Sequence, residues 1–108
     1  AAACLGDIGY HFPDTDDSFK DIDSKILLKR SGELIQKAGY QIGNIDSTVS
    51  LELPKLKPHI PEMQRVIAEI LSLDKDQVSI KATTSEKMGF VGLQEGVAVY
   101  ATVCVTIL

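Results

Sequence analysis

Apolar positions recur along the chain with two different periods, and each period predicts an element. Between residues 23 and 39 the period is helical. Leu27, Leu34, Ile35 and Ala38 share one face, while Lys29, Arg30, Glu33 and Lys37 lie largely elsewhere. Asp23 suits the N-cap of that helix, where its carboxylate can take an orphan backbone N–H for about 1 kcal/mol, and Gly39 suits its end. Residues 45–53 alternate instead. Val49, Leu51 and Leu53 point one way and Thr48, Ser50 and Glu52 the other, which predicts a strand stopped by Pro54. The helical period returns with Met63, Val66, Ile67, Ile70 and Leu71; Pro58 and Pro61 bracket its start, and Pro61 fits a first turn. A further strand is predicted over residues 77–83, with Val78, Ile80 and Ala82 on its apolar side. Residues 85–96 contain three glycines and read as a loop. The last strand, over residues 97–108, sets Val103, Val105 and Ile107 against Thr102, Cys104 and Thr106.

Three strands with one apolar face each, and two helices with one apolar stripe each, predict an α+β fold of the two-layer sandwich type. A mixed β-sheet would have its helices on one face. The other face would carry Thr48, Ser50, Glu52, Ser79, Lys81, Thr83, Thr102, Cys104 and Thr106. Solvent exposure explains such a face; the short, uncharged Thr and Cys of the last strand equally suit packing against another subunit. A chain of 108 residues predicts a single domain, residues 1–108. Ala1-Ala2-Ala3-Cys4-Leu5-Gly6 lacks the basic flank of a signal peptide and reads as the tail of a small-residue helix whose beginning is absent.

The net charge of -4, with no long basic run, argues against nucleic acid as a partner. No apolar run reaches bilayer length, which argues against a membrane span. An anionic ligand must then be held locally, by a few lysines, backbone N–H groups or metal ions. Cys4 and Cys104 sit in no C-x-x-C or His-paired pattern, so they predict two buried thiols in a reducing cytosol rather than a zinc site or a disulfide.

Three segments could carry chemistry. Residues 7–17 combine dense acids with His11. A calcium loop starting at Asp14 fails, because Phe19 and Lys25 stand where the sharp-turn glycine and the bidentate Glu are needed. An Asx-rich turn remains open, as does a loop whose carboxylates bind polyol hydroxyls, with Gly9 allowing close backbone approach. Residues 53–61, with three prolines, form either a plain strand-to-helix linker or a stiff loop presenting backbone groups to a flat ring. Lys55 and Lys57 suit a phosphate or a nucleobase edge there; His59 suits a capping or surface role. Residues 81–90 place Thr83, Thr84 and Ser85 before Glu86 at a strand end, where ligands commonly meet a sheet. Such hydroxyls hold phosphate oxygens without net charge, and Glu86 can hold a cation the phosphates share. A helix N-cap at Thr83 or Ser85, boxed by Glu86, is the alternative.

Taken jointly and in order, these segments resemble the methylerythritol cyclodiphosphate synthase family over essentially the whole chain. The resemblance rests on Gly6-Asp7-Ile8-Gly9, Phe12-Pro13-Asp14-Thr15-Asp16, Gly43-Asn44-Ile45-Asp46, Pro54-Lys55-Leu56, His59-Ile60-Pro61 with Met63, Lys81-Ala82-Thr83-Thr84-Ser85-Glu86-Lys87-Met88-Gly89-Phe90, and Glu95-Gly96. It implies a cytoplasmic, bacterial-type phosphorus–oxygen lyase of the non-mevalonate isoprenoid pathway, a homotrimer with active sites at subunit interfaces. The implied reaction is an intramolecular phosphoryl transfer on a cytidine diphosphate derivative of methylerythritol 2-phosphate, with release of CMP. The implied cofactors are zinc near the β-phosphate and a second divalent ion, magnesium or manganese, on the diphosphate.

By the same resemblance, Asp7, Ile8 and Gly9 would meet the ribose and neighbouring groups. Phe12, Pro13, Asp14, Thr15 and Asp16 would surround the methylerythritol end. Leu51, Glu52, Leu53, Pro54, Lys55, Leu56 and Lys57 would form the cytosine pocket, largely through backbone groups. Ala82, Thr83, Thr84 and Ser85 would line the diphosphate, with Thr84 the catalytic candidate, Glu86 the ligand of the diphosphate-bound cation, and Phe90 a wall. Two departures qualify this. The family's zinc-binding Asp-x-His and a later His would precede Ala1; His11 and His59 lie outside those motifs and do not replace them, so the 108 residues alone are expected to be inactive. Leu93 stands where many bacterial members have an Arg, so no phosphate contact is assigned to it. The alternatives are an inactive cytidine-nucleotide-binding module and a structural oligomeric domain.

Overall fold

The computed structural model describes residues 1–108. Its elements run α1 (Ile8–His11), α2 (Ser24–Lys37), β1 (Tyr40–Ser50), α3 (Ile60–Leu71), β2 (Val78–Thr83), α4 (Gly89–Gly92) and β3 (Ala98–Ile107), with 3-10 turns at Asp17–Phe19, Lys57–His59 and Lys75–Gln77. The sheet order is β2-β1-β3. β1 and β2 run parallel, in register from Ile45↔Val78 to Ser50↔Thr83. Along the other edge of β1, Leu108 donates its N–H to Gly39 O at 2.9 Å. The Cys104 carbonyl oxygen lies 3.5 Å from where a Cβ on Gly43 would stand. Facing numbers fall as numbers along β1 rise, so β3 is antiparallel and the sheet is mixed. The fold is α+β, as the patterning predicts.

The chain forms two compact units, Ala1–Gly43 with Cys104–Leu108, and Asn44–Val103. The fully buried hydrophobic residues belong to the second. Val49, Ala68, Val78 and Ile80 cluster together, Val78 only 1% exposed, with Leu51, Leu56, Ile60, Met63, Ile67 and Leu73 packed against them. The α3 stripe thus covers one face of the β1–β2 pair. Gln64 adds a polar tie, its Nε2 donating to Val78 O at 2.7 Å. Pro61 occupies the first turn of α3. The helix stops at Ser72, whose φ of 56° is left-handed. There Leu73 N–H reaches Ala68 O at 2.8 Å and Ser72 N–H reaches Glu69 O at 3.3 Å, the two bonds of a Schellman motif. On the opposite face of the strand pair, Lys81 Nζ donates to Asp46 Oδ2 at 2.8 Å. That bond, chiefly, holds the Asp46 carboxyl below its ordinary value.

In the first unit, Asp23 accepts the Lys25 N–H at 2.9 Å and starts α2 as expected. Gly39, at φ 94°, follows the helix end in a conformation that only glycine adopts without strain. Phe12 and Phe19 meet edge to face at 5.5 Å, and the Arg30 guanidinium sits 5.8 Å from the Phe19 ring centre.

Several expectations need correction. β1 begins at Tyr40 and ends at Ser50, rather than covering 45–53. Gly43 and Asn44 are poor strand formers that hide its start, which pairing with β3 supports. Beyond Ser50, Leu51 is half-buried and Leu53 exposed, as the chain turns into the proline-rich segment. Ala82 is exposed and lies outside the core cluster. Val103 and Ile107 are 36% and 81% exposed, because β3 is an edge strand outside the cluster that α3 covers. Both cysteines are free and exposed rather than buried, Cys4 in a turn and Cys104 on β3. Ala1 to Cys4 form a turn, in which Cys4 N–H meets Ala1 O at 2.9 Å and Cys4 itself has φ 55°. The segments read as loops, 6–23 and 85–96, contain the single-turn helices α1 and α4.

Two stability effects follow. Ser72→Gly should raise stability by about 0.5–1 kcal/mol, the left-handed penalty of a residue with a Cβ less the extra chain entropy of glycine. Val78→Ala should cost roughly 2 kcal/mol through the cavity it opens. Shifts of the denaturant midpoint, up for the first and down for the second, check both.

Candidate functional site

Because β1 and β2 are parallel and end together at Ser50↔Thr83, the segments that follow them leave from one edge of the sheet. The carboxyl ends of parallel strands are where ligands usually meet a sheet. Leu51 N–H continues the ladder to Thr83 O at 2.9 Å. Glu52 Oε1 then accepts the Ser85 N–H at 2.8 Å and lies 3.3 Å from Ser85 Oγ. The one hydroxyl proton of Ser85 serves the nearer acceptor, Met88 O at 2.7 Å. Thr84 Oγ1 stands 3.4 Å from Glu86 Oε1 and 3.4 Å from Glu86 N. Both contacts are long, the hydroxyl donating in the first and accepting the Glu86 amide in the second.

The turn beyond Thr84 is strained. Met88 N–H closes onto Ser85 O at 3.1 Å, and the two central residues, Glu86 and Lys87, have φ of 54° and 63°. Positive φ at both positions is the signature of a type I′ turn, at about 1–2 kcal/mol for each residue bearing a Cβ. Gly92 makes room for it. A Cβ there would lie 2.2 Å from Lys87 C and 2.6 Å from Lys87 Cα, so only glycine permits this approach. The alternative of a capping box at Thr83 or Ser85 is not realised: α4 starts at Gly89, Met88 precedes it, and no side chain caps it. The Glu86 carboxylate is left exposed. No three His, Cys, Asp or Glu side chains stand together as a metal-ligand group. A lone exposed carboxylate still fits a magnesium-type ion, which takes one or two carboxylates and completes its shell with phosphate and water.

In the segment that follows β1, Leu53, Pro54, Lys55 and Lys57 are exposed. The Leu56 side chain packs on the core, and its carbonyl takes the N–H groups of His59 and Ile60. His59 is exposed and caps nothing with its side chain. Phe90 is 55% exposed, its Cδ2 lying 3.2 Å from where a Cβ on Gly96 would stand. Lys81, the first residue of the third segment, is engaged by Asp46.

The other expected residues lie in the first unit. Asp7 precedes α1 without capping it by its side chain, and Ile8 and Gly9 open that helix, all three exposed. Pro13 is half-buried; Asp14, Thr15 and Asp16 are exposed. Asp16 forms the Asx turn that composition allowed, accepting the Ser18 N–H at 3.0 Å and its hydroxyl at 2.8 Å. The amide first, and the hydroxyl second, hold its carboxyl below the usual 3.8. His11 donates from Nε2 to Leu5 O at 2.5 Å, a local tie. A cleft of about 330 Å³ lies between α2 and the end of α1, lined by His11, Phe12, Arg30, Glu33, Leu34 and Lys37. Of the expected site residues only Phe12 borders it. Sequence reasoning missed two features of the turn: the Glu52–Ser85 bond, and Gly92, whose only signal was its place among three closely spaced glycines.

Comparison with known proteins bears on this arrangement. The model of the YgbB family matches residues 1–106. The 2-C-methyl-D-erythritol 2,4-cyclodiphosphate synthase of Bacteroides fragilis is 61% identical over 104 residues, 96% of this chain and 65% of that protein. The chain therefore spans just under two thirds of this curated relative. Among solved structures, the bifunctional IspDF from Campylobacter jejuni superimposes with a TM-score of 0.95 at 44% identity, over 99% of this chain and 29% of that one. The CDP complex of IspF from Plasmodium falciparum does so with a TM-score of 0.79 at 32% identity, over 94% and 60%.

Gly92→Ala should destabilise the protein by about 1–3 kcal/mol in chemical denaturation, since backbone atoms of Lys87 must move, with amide shifts concentrated at residues 85–88. At Asp16, a depressed carboxyl makes the Ser18 bonds stabilising above the ordinary 3.8; that contribution is lost as pH falls through the lower folded value. An NMR titration of the Asp16 carboxyl should show a midpoint below 3.8. Ser18→Ala should raise it only part of the way, because the larger contribution, from the amide, survives.

Proposed function

The chain belongs to the YgbB family, and from that premise we propose that the protein carrying it is a cytoplasmic 2-C-methyl-D-erythritol 2,4-cyclodiphosphate synthase. The observation that carries the proposal is the turn holding Thr84 and Glu86 beside the 51–57 segment, in a chain 61% identical to a relative of that name. The substrate is 4-diphosphocytidyl-2-C-methyl-D-erythritol 2-phosphate. An oxygen of the 2-phosphate forms a bond to the β-phosphorus, and the bond from that phosphorus to the α–β bridging oxygen breaks. CMP leaves with that oxygen and the cyclic diphosphate remains. Since both reacting groups belong to one molecule, the protein's work is to fold the substrate and offset its charge.

The 51–57 segment holds the cytosine, mainly by backbone, with Lys55 as the side chain that best matches the family motif. Asp7, Ile8 and Gly9 serve the ribose; Phe12, Pro13, Asp14, Thr15 and Asp16 serve the methylerythritol end, where Asp14 accepts from a hydroxyl. Ala82, Thr83, Thr84 and Ser85 line the diphosphate, with Phe90 at the wall. The Thr84 hydroxyl donates to charge as it develops on the transferring phosphoryl group. Glu86 would hold a magnesium or manganese ion at the diphosphate. When bound, that ion neutralises phosphate charge and acts as a Lewis acid. Zinc near the β-phosphate is proposed from the family resemblance, and no residue among these 108 is assigned to it.

A homotrimer with interfacial sites is proposed on the apolar exposure of β3 and its flanks, where Val97, Val99, Tyr100, Val103, Ile107 and Leu108 face solvent in the single chain. No helix is long and apolar enough to cross a membrane.

In the full-length protein, CMP should bind and the authentic substrate should turn over only with zinc and a second divalent ion present. Calorimetric titration that finds no CMP binding would contradict the pocket assignment. Thr84→Ala should lower turnover by on the order of 10²–10³ while leaving CMP affinity within a few-fold; equal losses in both would contradict its transition-state role. The 108-residue stretch alone should show negligible turnover, and appreciable zinc-free turnover by it would count against the metal assignment.

A further inference from the structure

We infer that Glu52 is a positioning residue, whose carboxylate sets the metal-bearing turn by holding the Ser85 N–H rather than touching the nucleotide. This rests on the site reading above and deepens it, because that reading places Glu52 in the cytosine pocket with its neighbours. The geometry points elsewhere. Glu52 is half-buried, and its Oε1 receives the Ser85 amide at 2.8 Å, across 33 positions of sequence. That amide belongs to the first residue of a turn with left-handed φ at both Glu86 and Lys87. A conformation of that kind persists only where its surroundings over-determine it. Three things hold this one. The Ser85 hydroxyl and carbonyl clip Met88, Gly92 packs against Lys87, and Glu52 fixes Ser85 from outside the turn. Only the last ties the turn to the segment following β1.

A charge-assisted bond from a backbone amide to a carboxylate is among the stronger hydrogen bonds, and its direction sets the plane of the Thr84–Ser85 peptide. Thr84 stands immediately before that amide and Glu86 immediately after Ser85. Glu52 therefore governs where the Thr84 hydroxyl and the Glu86 carboxylate point, and couples the base-binding segment to the phosphate- and cation-binding turn. Outer-shell partners of this kind commonly matter by ten- to a hundredfold in metal affinity or rate.

The test uses the full-length protein with CMP, CDP and Mn²⁺. CMP affinity reports the 51–57 segment. The gain in CDP affinity on adding Mn²⁺ reports the turn. Glu52→Ala should leave CMP affinity within about twofold, reduce the Mn²⁺-dependent gain by on the order of tenfold and lower kcat by ten- to a hundredfold. Glu52→Gln should restore most of both, since its amide oxygen still accepts the Ser85 N–H. Ser85→Ala keeps that N–H and should lose less of the gain than Glu52→Ala. If Glu52→Ala does not fold, Glu52→Met, of similar length but without an acceptor oxygen, takes its place. Hydrogen exchange at the Ser85 amide should quicken in every variant lacking the acceptor.

An undiminished Mn²⁺ gain in the Ala and Met variants, or a Gln variant as impaired as they are, overturns the inference. So does a fall in CMP affinity as large as the fall in the Mn²⁺ gain, which would make Glu52 a nucleotide contact. A wild-type protein that binds neither CMP nor CDP overturns the site reading itself, and this inference with it.

Discussion

Parallel pairing of β1 with β2 sends two chain segments off the same edge of the sheet, and the rest of the second unit is arranged around that consequence. Parallel strands cannot be joined by a tight turn; they need a crossover of a dozen or more residues. Here the crossover begins with the 51–57 segment, passes through α3 and returns at Val78. Its helix supplies the stripe that buries Val49, Val78 and Ile80. Packing and site are therefore made by one stretch of chain. The cluster that fixes the register of Ser50 with Thr83 also brings Glu52 within reach of Ser85.

The chemistry proposed at that edge is constrained by charge. A chain of net charge -4 has little long-range attraction to offer a diphosphate. Lys81 is engaged by Asp46 on the opposite face of the strand pair, leaving Lys55, Lys57 and Lys87 as the lysines of these segments outside an ion pair. Short hydroxyls and a single carboxylate that can recruit a cation suit such a setting better than a basic patch. The left-handed φ at Glu86 and Lys87 is likewise a product of the tertiary structure, because such a conformation persists only where its surroundings over-determine it.

Much of the fold was legible because it is set by near neighbours. The stripe of α3, the Asp23 cap, the Gly39 stop, Pro61 in a first turn and the alternation of Val78 with Ile80 each depend on residues within a few positions. Where patterning failed, a distant partner was deciding. Residues 40–44 belong to β1 through pairing with β3, despite Gly43 and Asn44. Val103 and Ile107 alternate as core residues do, yet they lie on an edge strand outside the cluster beneath α3. Periodicity marks a face as apolar; it does not say what covers it. The cysteines failed likewise, since a small thiol reads as buried wherever the chain around it is apolar.

The site divides along the same line. Sequence by itself determined which residues are candidates for chemistry, since Thr83, Thr84, Ser85 and Glu86 stand at a strand end and their order resembles one family's motif. It also determined the stiffness of residues 53–61, because proline constrains its own backbone wherever it stands. Only the tertiary structure decided what each polar group does. Glu52 and Asp16 look alike as exposed-side carboxylates in a string of letters. Folding turns Asp16 onto an amide two residues away and Glu52 onto one 33 residues away. The first bond is available to any local turn. The second exists only once a parallel register has brought two strand ends together, because a carboxylate's partner is chosen by distance in space rather than along the chain.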